Sequence, residues 1–273
     1  MEQVALVTGA SSGIGESTVR ALIAEGFTVY AAARRVERMQ SLTELGARIL
    51  SMDVTSDESM TDGVRRILAD AGRIDVLVNN AGYGSYGALE DVPMTEARRQ
   101  FDVNLFGLAR LTQLVLPGMR ARRSGTIVNI SSIGGKFYEP LGSWYHAVKF
   151  AVEGLSDSLR IELKPFGIRV VVIEPGPILS EWSAIASESL LENSEGTAYE
   201  GNARKVAGVL AQAYKPGRAS PPDAVARTIV RAVQSKNPAA RYPVGGGAWP
   251  ILAARKVLPD RAFDAIVRTV YGH

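Results

Sequence analysis

Short apolar runs alternate with amphipathic helical patterns along most of this chain. Six of the apolar runs are candidate strands, at residues 4–8, 28–32, 48–52, 76–79, 126–130 and 169–173, and residues 241–244 are a candidate last strand. Helical patterns at residues 57–70, 95–119 and 144–163 separate several of them. Strands that are apolar throughout are typical of parallel sheets covered on both faces. The pattern therefore predicts an α/β fold with a three-layer, doubly wound parallel sheet of about seven strands and helices on both faces.

Two later segments depart from this alternation. We interpret residues 1–273 as a single domain, since a chain of 273 residues suits one large α/β unit. Within it, residues 180–219 are long and mixed in character, which is typical of a lid over an active site. Residues 245–273 form a C-terminal extension with apolar and aromatic positions. This extension either caps the domain or forms a subunit interface; alternatively, it lines an apolar substrate pocket or contacts a membrane surface.

Composition excludes several kinds of chemistry. The chain has no cysteine, which excludes disulfides, thiol catalysis and cysteine-ligated zinc. Its two histidines, His146 and His273, cannot make a convincing metal cluster, so no metal is expected. The formal charge is +3 and no dense basic tract is interleaved with aromatics, so nucleic acid is not an expected partner. No apolar run approaches the ~20 residues of a membrane span and no signal peptide is visible, so we expect a cytoplasmic protein.

A glycine-rich run, TGASSGIG at residues 8–15, follows the first candidate strand and precedes a helical pattern. Glycines allow a tight turn and let backbone amides approach a pyrophosphate, while the new helix directs its positive end at the anion. The order of strand, turn and helix predicts a dinucleotide-binding domain with a Rossmann-type fold. The candidate contacts are Gly9, Ser11, Ser12, Gly13, Ile14 and Gly15.

The end of the second candidate strand bears on the choice of cofactor. NAD-binding folds usually carry an acidic residue there, which holds the ribose 2′-hydroxyl. This chain has Arg34 and Arg35 instead, and no acid before Glu37. Guanidinium groups suit a 2′-phosphate, so we expect NADP(H) to be favoured over NAD(H). The alternative is that both arginines merely face solvent.

A tyrosine and a lysine form the candidate catalytic pair. Tyr145 and Lys149 are four residues apart, so one helix face would carry both side chains. A phenol with a pKa near ~10 is a poor base at neutral pH, but a nearby ammonium favours its phenolate. Such a pair can deliver or remove a proton at a carbonyl or alcohol oxygen. The spacing alone is weak evidence, and its weight comes from the glycine-rich run upstream.

Taken together, these motifs resemble the short-chain dehydrogenase/reductase family, up to about residue 245. The resemblance rests on the run at residues 8–15, on NNAG at residues 79–82, on Asn104, on Ser132 thirteen positions before Tyr145, on Lys149 and on Pro175-Gly176. It implies a catalytic tetrad of Asn104, Ser132, Tyr145 and Lys149. Tyr145 would exchange the proton, and Lys149 would hold the nicotinamide ribose and lower the tyrosine pKa. Ser132 would bind the substrate oxygen, and the backbone of Asn104 would hold a water that links Lys149 to solvent.

The same resemblance implies further cofactor contacts. Asp53 and Val54 would bracket the adenine, and Ser180 stands where the family commonly has a threonine that contacts the carboxamide. Ile178 would contact the carboxamide through its backbone. The remaining implied contacts are Asn79, Ala81, Gly82, Tyr145, Lys149, Pro175 and Gly176.

The substrate is inferred from the residues around the tetrad. Candidate contacts are Ser132, Gly134, Phe137, Tyr138, Gly142 and Trp182, together with Tyr83 and Ile185. They are mostly apolar or aromatic, so we expect a lipophilic ketone, aldehyde or alcohol. The lid and the extension look similar to those of hydroxysteroid and retinol dehydrogenases, which favours steroid-like or retinoid-like substrates.

Other functions stay open. Arg120, Arg122 and Arg123 could meet an acidic carrier protein, as in a 3-oxoacyl-carrier-protein or CoA reductase. A non-catalytic NADP(H) sensor is less favoured because the full tetrad is present, and a lyase or epimerase would have a longer C-terminal substrate domain. Family habit predicts a homodimer or homotetramer.

Overall fold

Seven parallel strands form one sheet in a computed structural model that describes residues 2–272. The strand order is β3-β2-β1-β4-β5-β6-β7. The strands are β1 (Val4–Thr8), β2 (Thr28–Ala33), β3 (Arg48–Ser51), β4 (Val76–Asn79), β5 (Gly125–Ile130), β6 (Ile168–Pro175) and β7 (Arg241–Val244). All seven predicted strands form, with ends displaced by at most two residues, and the predicted doubly wound α/β fold is confirmed.

Helices cover both faces of this sheet. They are α1 (Gly13–Ala24), α2 (Gln40–Thr43), α3 (Asp57–Ala71), α4 (Met94–Phe101), α5 (Gly107–Arg122), α6 (Ser143–Leu163), α7 (Trp182–Ser194), α8 (Glu200–Ala213), α9 (Pro222–Gln234), α10 (Ala248–Val257) and α11 (Asp260–Tyr271). The single helix predicted at residues 95–119 is instead α4 and α5, joined by a π-helical turn at Asp102–Phe106. A π turn inserts one extra residue without ending the helix, so the hydrophobic period alone did not reveal it.

Two hydrophobic cores lie on opposite faces of the sheet. Val7 and its neighbours on that face pack against α1 and α9, for example against Leu22 and Ile229. Leu6, one residue earlier in β1, packs on the other face with Ile67 of α3 and Leu111 of α5. Successive strand residues point to opposite faces. The apolar runs are therefore continuous because both faces are covered.

The strand order reverses at β1, which pairs with β2 on one side and with β4 on the other. In open parallel sheets of this kind, ligands bind beyond the carboxyl ends of the strands at this switch point. The loops that follow β1, β2, β4, β5 and β6 all emerge at that edge, and they carry most of the candidate site residues.

The lid and the C-terminal extension pack together over the loop before α6. Leu190 of α7, Val206 of α8 and Tyr271 of α11 belong to one buried cluster, which also contains Tyr86 and Tyr145. The C-terminal helix α11 therefore packs on the same cluster as Tyr145. No helix within residues 2–272 is both long and apolar enough to cross a membrane.

Candidate active site

A cavity of about 530 Å³ opens at the carboxyl edge of the sheet. Most of the predicted cofactor residues line it: Gly9, Ser11, Ser12, Gly13, Ile14, Arg34, Arg35, Asp53, Val54, Ala81, Gly82, Tyr145, Lys149, Pro175, Gly176, Ile178 and Ser180. Residues from five loops and from helix α6 thus meet in one groove, as the sequence predicts for the switch point of a doubly wound sheet.

Backbone geometry shapes the glycine-rich end of this cavity. Gly9 and Gly13 have φ values of 65° and 55°, in the left-handed region that favours glycine. The side chain of Ser12, which precedes α1, makes no capping hydrogen bond to the first turn of that helix. The first amides of α1 thus point to the cavity without a protein cap, which suits an anionic pyrophosphate.

Gly15 and Asn79 are close to the groove but do not line it. A Cβ on Gly15 would lie 2.3 Å from the carbonyl oxygen of Gly9, so Gly15 permits the close packing of the turn on α1. The buried Asn79 amide donates to Thr112 Oγ1 at 3.1 Å and to Asn129 Oδ1 at 2.9 Å. In this structure, both residues support the groove from behind.

Asn80 is a groove residue that the sequence analysis missed. Its side-chain amide donates to the carbonyl oxygens of Thr8 and Gly9, at 2.9 and 3.3 Å. It therefore fixes the turn after β1 to the turn after β4. The NNAG motif contained the signal, but the motif does not say which of its two asparagines faces the groove.

Tyr145, Lys149 and Ser132 meet at the inner end of the cavity. Tyr145 and Lys149 are both buried on α6, and the Lys149 ammonium lies 5.9 Å from the centre of the Tyr145 ring. Lys149 Nζ donates to the carbonyl oxygen of Ile130 at 3.1 Å. The Ser132 hydroxyl hydrogen-bonds the Tyr145 phenol and also accepts from the Gly134 amide at 3.0 Å. A hydroxyl, a phenol and an ammonium are thus held within one small region.

Burial dominates the electrostatics of this group. It raises the pKa of Tyr145 above its ordinary value, and the hydrogen bond from Ser132 opposes this rise only in part. Burial also lowers the pKa of Lys149 to about 8, against an opposing effect of Glu153 one turn further along α6. Besides burial, the groups that shift the pKa of Tyr145 are Ser132, which lowers it, and Glu139, which raises it. The lowering of the Tyr145 pKa by Lys149 that the resemblance implies stays a prediction.

Asn104 lies in the π-helical turn, behind the cavity wall. Its amide nitrogen donates to the carbonyl oxygens of Tyr83 and Gln100, at 3.1 and 2.9 Å. A Cβ on Gly82 would lie 2.6 Å from Asn104 Oδ1, so Gly82 makes room for this side chain. The water-holding role of the Asn104 backbone stays a prediction.

Aromatic side chains surround the inner end of the cavity, around Tyr145. Trp182 lies 5.1 Å from Tyr145 and stacks on Tyr214 at 5.5 Å, measured between ring centres. Tyr83, Trp182 and Ile185 line the cavity as expected, together with Tyr214, which the sequence analysis missed. Tyr86 was also missed, and its buried ring lies 5.5 Å from that of Tyr145.

Four of the candidate substrate residues do not reach the cavity. Phe137 packs on His146 and Phe263, and the Tyr138 hydroxyl donates to Asp264 at 2.8 Å. The turn at Ile133–Gly135 directs this loop toward α11, so both rings face the extension. Gly134 and Gly142 lie behind Tyr145 and Tyr86, where a Cβ would come within 3.2 and 2.8 Å of those rings. These four residues shape the wall without lining it.

A buried carboxylate joins the extension to this wall. Glu139 accepts from the Tyr86 hydroxyl at 2.7 Å and from the Tyr271 hydroxyl. His146 Nε2 accepts from the Glu139 amide at 3.1 Å, which leaves Nδ1 to donate to the Gly134 carbonyl at 2.8 Å. His146 is therefore held by the backbone on both sides of its ring and serves a structural role. Residues 2–272 contain no group of three acidic or histidine side chains that could hold a metal, and His273 lies outside them.

The arginines lie at two different places. Arg34 and Arg35 line the outer end of the cavity, where they could reach a 2′-phosphate. Arg122 and Arg123 lie at the end of α5, next to the start of β5 and so at the opposite edge of the sheet. There they donate to the carbonyl oxygens of Ile74 and Pro165, at 2.7 and 2.8 Å. The basic cluster considered for an acidic carrier protein is therefore remote from Tyr145 and Lys149 and partly engaged in structural contacts.

Comparison with known proteins places this geometry in context. A family model described as short chain dehydrogenase matches residues 3–190. A probable short-chain type dehydrogenase/reductase from Helicobacter pylori is 36% identical over 269 residues, which cover 98% of this chain and 97% of that protein. A 3-ketodihydrosphingosine reductase from Bacteroides thetaiotaomicron is 35% identical over 272 residues, with 99% and 98% covered.

Two solved structures are also similar to this chain. A short-chain dehydrogenase from Streptomyces avermitilis has a TM-score of 0.81 and 36% identity, and the match covers 98% of this chain and 96% of that one. The closed form of a serine dehydrogenase complexed with NADP+ has a TM-score of 0.75 and 28% identity, covering 89% and 94%.

Proposed function

Because the chain belongs to the short-chain dehydrogenase/reductase family, we propose that this oxidoreductase uses NADP(H) to interconvert a lipophilic ketone or aldehyde and the corresponding alcohol. The observation that carries the proposal is the position of Ser132, Tyr145 and Lys149. They meet at the inner, aromatic end of a cavity whose outer end carries the glycine-rich turn and two arginines. A catalytic group at one end and an anion-binding turn at the other are what a dinucleotide-dependent reaction requires.

The groove residues fit a phosphorylated dinucleotide. The uncapped first turn of α1 and the turn at Gly13 would hold the pyrophosphate. Arg34 and Arg35 would hold the 2′-phosphate, and Asp53 would contact the adenine. When bound, the nicotinamide would supply hydride in reduction or accept it in oxidation.

Tyr145 would be the general acid of the reduction. Its raised pKa keeps the phenol protonated at neutral pH, so it can donate a proton to the carbonyl oxygen as negative charge develops there. The Ser132 hydroxyl would donate to the same oxygen and stabilise that charge. The Lys149 ammonium would favour the phenolate that remains after transfer. Burial excludes water from all three groups and strengthens these interactions.

The aromatic wall supports a lipophilic substrate. Trp182, Tyr214 and Ile185 present apolar surface to the space in front of Tyr145. The name of the Bacteroides relative, a 3-ketodihydrosphingosine reductase, supports a ketone on a long apolar chain. Long-chain ketones therefore join steroid-like and retinoid-like compounds among the candidates.

The proposal is tested by following the absorbance of NADPH, with NADH in parallel, against a panel of carbonyl compounds. The panel contains 3-ketodihydrosphingosine, steroid ketones, retinal and acetoacetyl thioesters. We expect turnover of at least one lipophilic ketone, with NADPH preferred, and a loss of about 10²- to 10⁴-fold in Y145F with cofactor binding retained. Turnover of acetoacetyl thioesters alone would contradict the lipophilic substrate. Tight cofactor binding without turnover of any compound would contradict catalysis.

A further inference from the structure

One carboxylate of the lid reaches across to the arginines at the outer end of the cavity. Glu181 immediately precedes α7, and its Oε1 lies 2.7 Å from Arg38 Nη1. Its Oε2 lies 3.3 Å from Arg35 Nη2, and the same nitrogen lies 3.4 Å from Ser11 Oγ of the glycine-rich turn. The hydrogen bond from Arg38 lowers the pKa of Glu181, so the group is charged at neutral pH. An anion of this chain thus already contacts Arg35.

The lid passes close to the glycine-rich turn at this point. A Cβ on Gly13 would lie 3.3 Å from the Cβ of Ser180, the residue before Glu181. Glu181, Arg35 and Ser11 all line the same cavity. The ion pair therefore joins the start of the lid to the turn after β2, over the groove in which a dinucleotide would lie.

We propose that Glu181 is a selectivity residue for the cofactor, because it competes with the 2′-phosphate of NADP(H) for Arg35. This inference rests on the proposed use of NADP(H). A carboxylate and a phosphate cannot both bond one guanidinium closely without repelling each other, so phosphate binding must displace Glu181. A ribose without the phosphate carries a neutral 2′-hydroxyl, which does not compete for Arg35 and leaves the ion pair in place.

Two consequences follow from this competition. Glu181 weakens the binding of NADP(H) and leaves the binding of NAD(H) nearly unaffected. It therefore reduces the preference for NADP(H) over NAD(H) that Arg34 and Arg35 create. It also couples the phosphate to the lid, since displacing Glu181 releases the residue next to Trp182 of the substrate wall. When the phosphate leaves, the ion pair re-forms and opposes immediate rebinding.

The effect is moderate in size. The side chains of Arg35, Arg38 and Glu181 are 45%, 45% and 47% exposed, so solvent screens their attraction. Ion pairs of this exposure contribute enough to change an affinity by about two- to fivefold.

The test uses two fragments that share the adenosine and differ in the phosphate: 2′,5′-ADP and 5′-AMP. Each is titrated by calorimetry into the full-length wild type, E181Q and E188Q. Glu188 is an exposed carboxylate on the same helix, and the ion pairs of Arg35 and Arg38 do not include it. E188Q therefore removes the same charge from the lid without breaking the contact.

We expect E181Q to bind 2′,5′-ADP about two- to fivefold more tightly than wild type, and 5′-AMP with unchanged affinity. E188Q should match wild type for both fragments. Equal tightening for both fragments, or none in a wild type that prefers 2′,5′-ADP, would overturn the role of Glu181 but not the use of NADP(H). If neither the wild type nor E181Q prefers 2′,5′-ADP to 5′-AMP, both the role of Glu181 and the use of NADP(H) are overturned.

Discussion

Replacing Lys149 by methionine should make the protein more stable at neutral pH, although it removes a proposed catalytic residue. Lys149 is buried on α6, where its ammonium has one hydrogen bond to a protein carbonyl, that of Ile130. Burial lowers its pKa from the ordinary value of 10.5 to about 8. At pH 7 Lys149 is therefore charged in the folded state, but the folded state binds this proton less strongly than the unfolded chain does.

The magnitude follows from this difference in pKa. Each pH unit corresponds to about 1.4 kcal/mol, so the buried ammonium costs about 3 kcal/mol of folding free energy at pH 7. Below pH 8 both states are charged and the cost is fully present. Between pH 8 and 10.5 the folded state has lost the proton while the unfolded state retains it, so the stability of the wild type rises with pH. Losing the bond to Ile130 should cost K149M about 1 kcal/mol at every pH.

The assay is urea denaturation of wild type and K149M at pH 7, 8, 9 and 10. Other titrating groups are common to both proteins and cancel in the difference. We expect K149M to be more stable by about 2 kcal/mol at pH 7, and this advantage to shrink by about 2 to 3 kcal/mol by pH 10. A difference that does not change with pH, or that grows as pH rises, would refute the assignment of a lowered pKa to Lys149.

Further predictions concern the glycine-rich turn, the extension and the aromatic wall. G13A should weaken NADPH binding at least about tenfold, because its new methyl group lies in the left-handed turn against Ser180. G26A is the control, since Gly26 also has a positive φ of 80° but no neighbour within 4 Å among residues 2–272. Both variants should lose about 1 kcal/mol of stability, but G26A should leave the dissociation constant of NADPH unchanged. Y271F should lower the free energy of unfolding by about 1 to 3 kcal/mol, because it leaves the buried Glu139 without one hydrogen-bond donor. Y138F, which removes a partly exposed hydrogen bond to Asp264, should lower it by less than about 1 kcal/mol in the same urea assay. W182A should raise KM for a lipophilic ketone about tenfold or more, with little change in the KM for NADPH. Equal increases for the ketone and for NADPH in steady-state kinetics would contradict the proposal that Trp182 contacts the substrate.

The sheet and the cofactor groove could be predicted because their signals are local. Central strands such as β1 and β4 are largely apolar and buried along their whole length, and this pattern is typical of strands covered on both faces. Parallel strands place their following turns at one edge, so Gly9 and Gly176 come together without any knowledge of side-chain packing. Strand order and backbone direction suffice for this part of the molecule.

The substrate wall could not be predicted in the same way, because it depends on contacts between segments far apart in the chain. Phe137 and Tyr138 are apolar and lie between Ser132 and Tyr145, but whether they face the cavity depends on α11, more than a hundred residues later. Tyr214 lines the cavity from the end of α8. No local period marks such a residue, and its position follows only from how the lid packs on the domain.

The pKa values of Tyr145 and Lys149 could not be predicted from the sequence either. The spacing of Tyr145 and Lys149 predicts that they are neighbours, but burial and other groups decide their pKa values: Ser132 and Glu139 at Tyr145, and Glu153 at Lys149. The Glu153 carboxylate lies 3.0 Å from the Lys136 ammonium and 2.9 Å from the Arg241 guanidinium. The negative charge of Glu153 opposes the lowering of the Lys149 pKa by desolvation. The Lys136 and Arg241 cations in turn offset the cost of burying the Glu153 carboxylate.

The charge that Lys149 carries at pH 7 is thus linked to β7 through Arg241, which also lies 3.5 Å from Glu174. Burial, reinforced by the nearby Glu153, raises the pKa of Glu174 to about 7, so this second carboxylate is only partly charged at neutral pH. As Glu174 becomes charged, it shares Arg241 with Glu153. We therefore expect proton affinity at the proposed catalytic centre to depend on a buried network drawn from three parts of the chain, of which the i, i+4 motif supplies only the phenol and the ammonium.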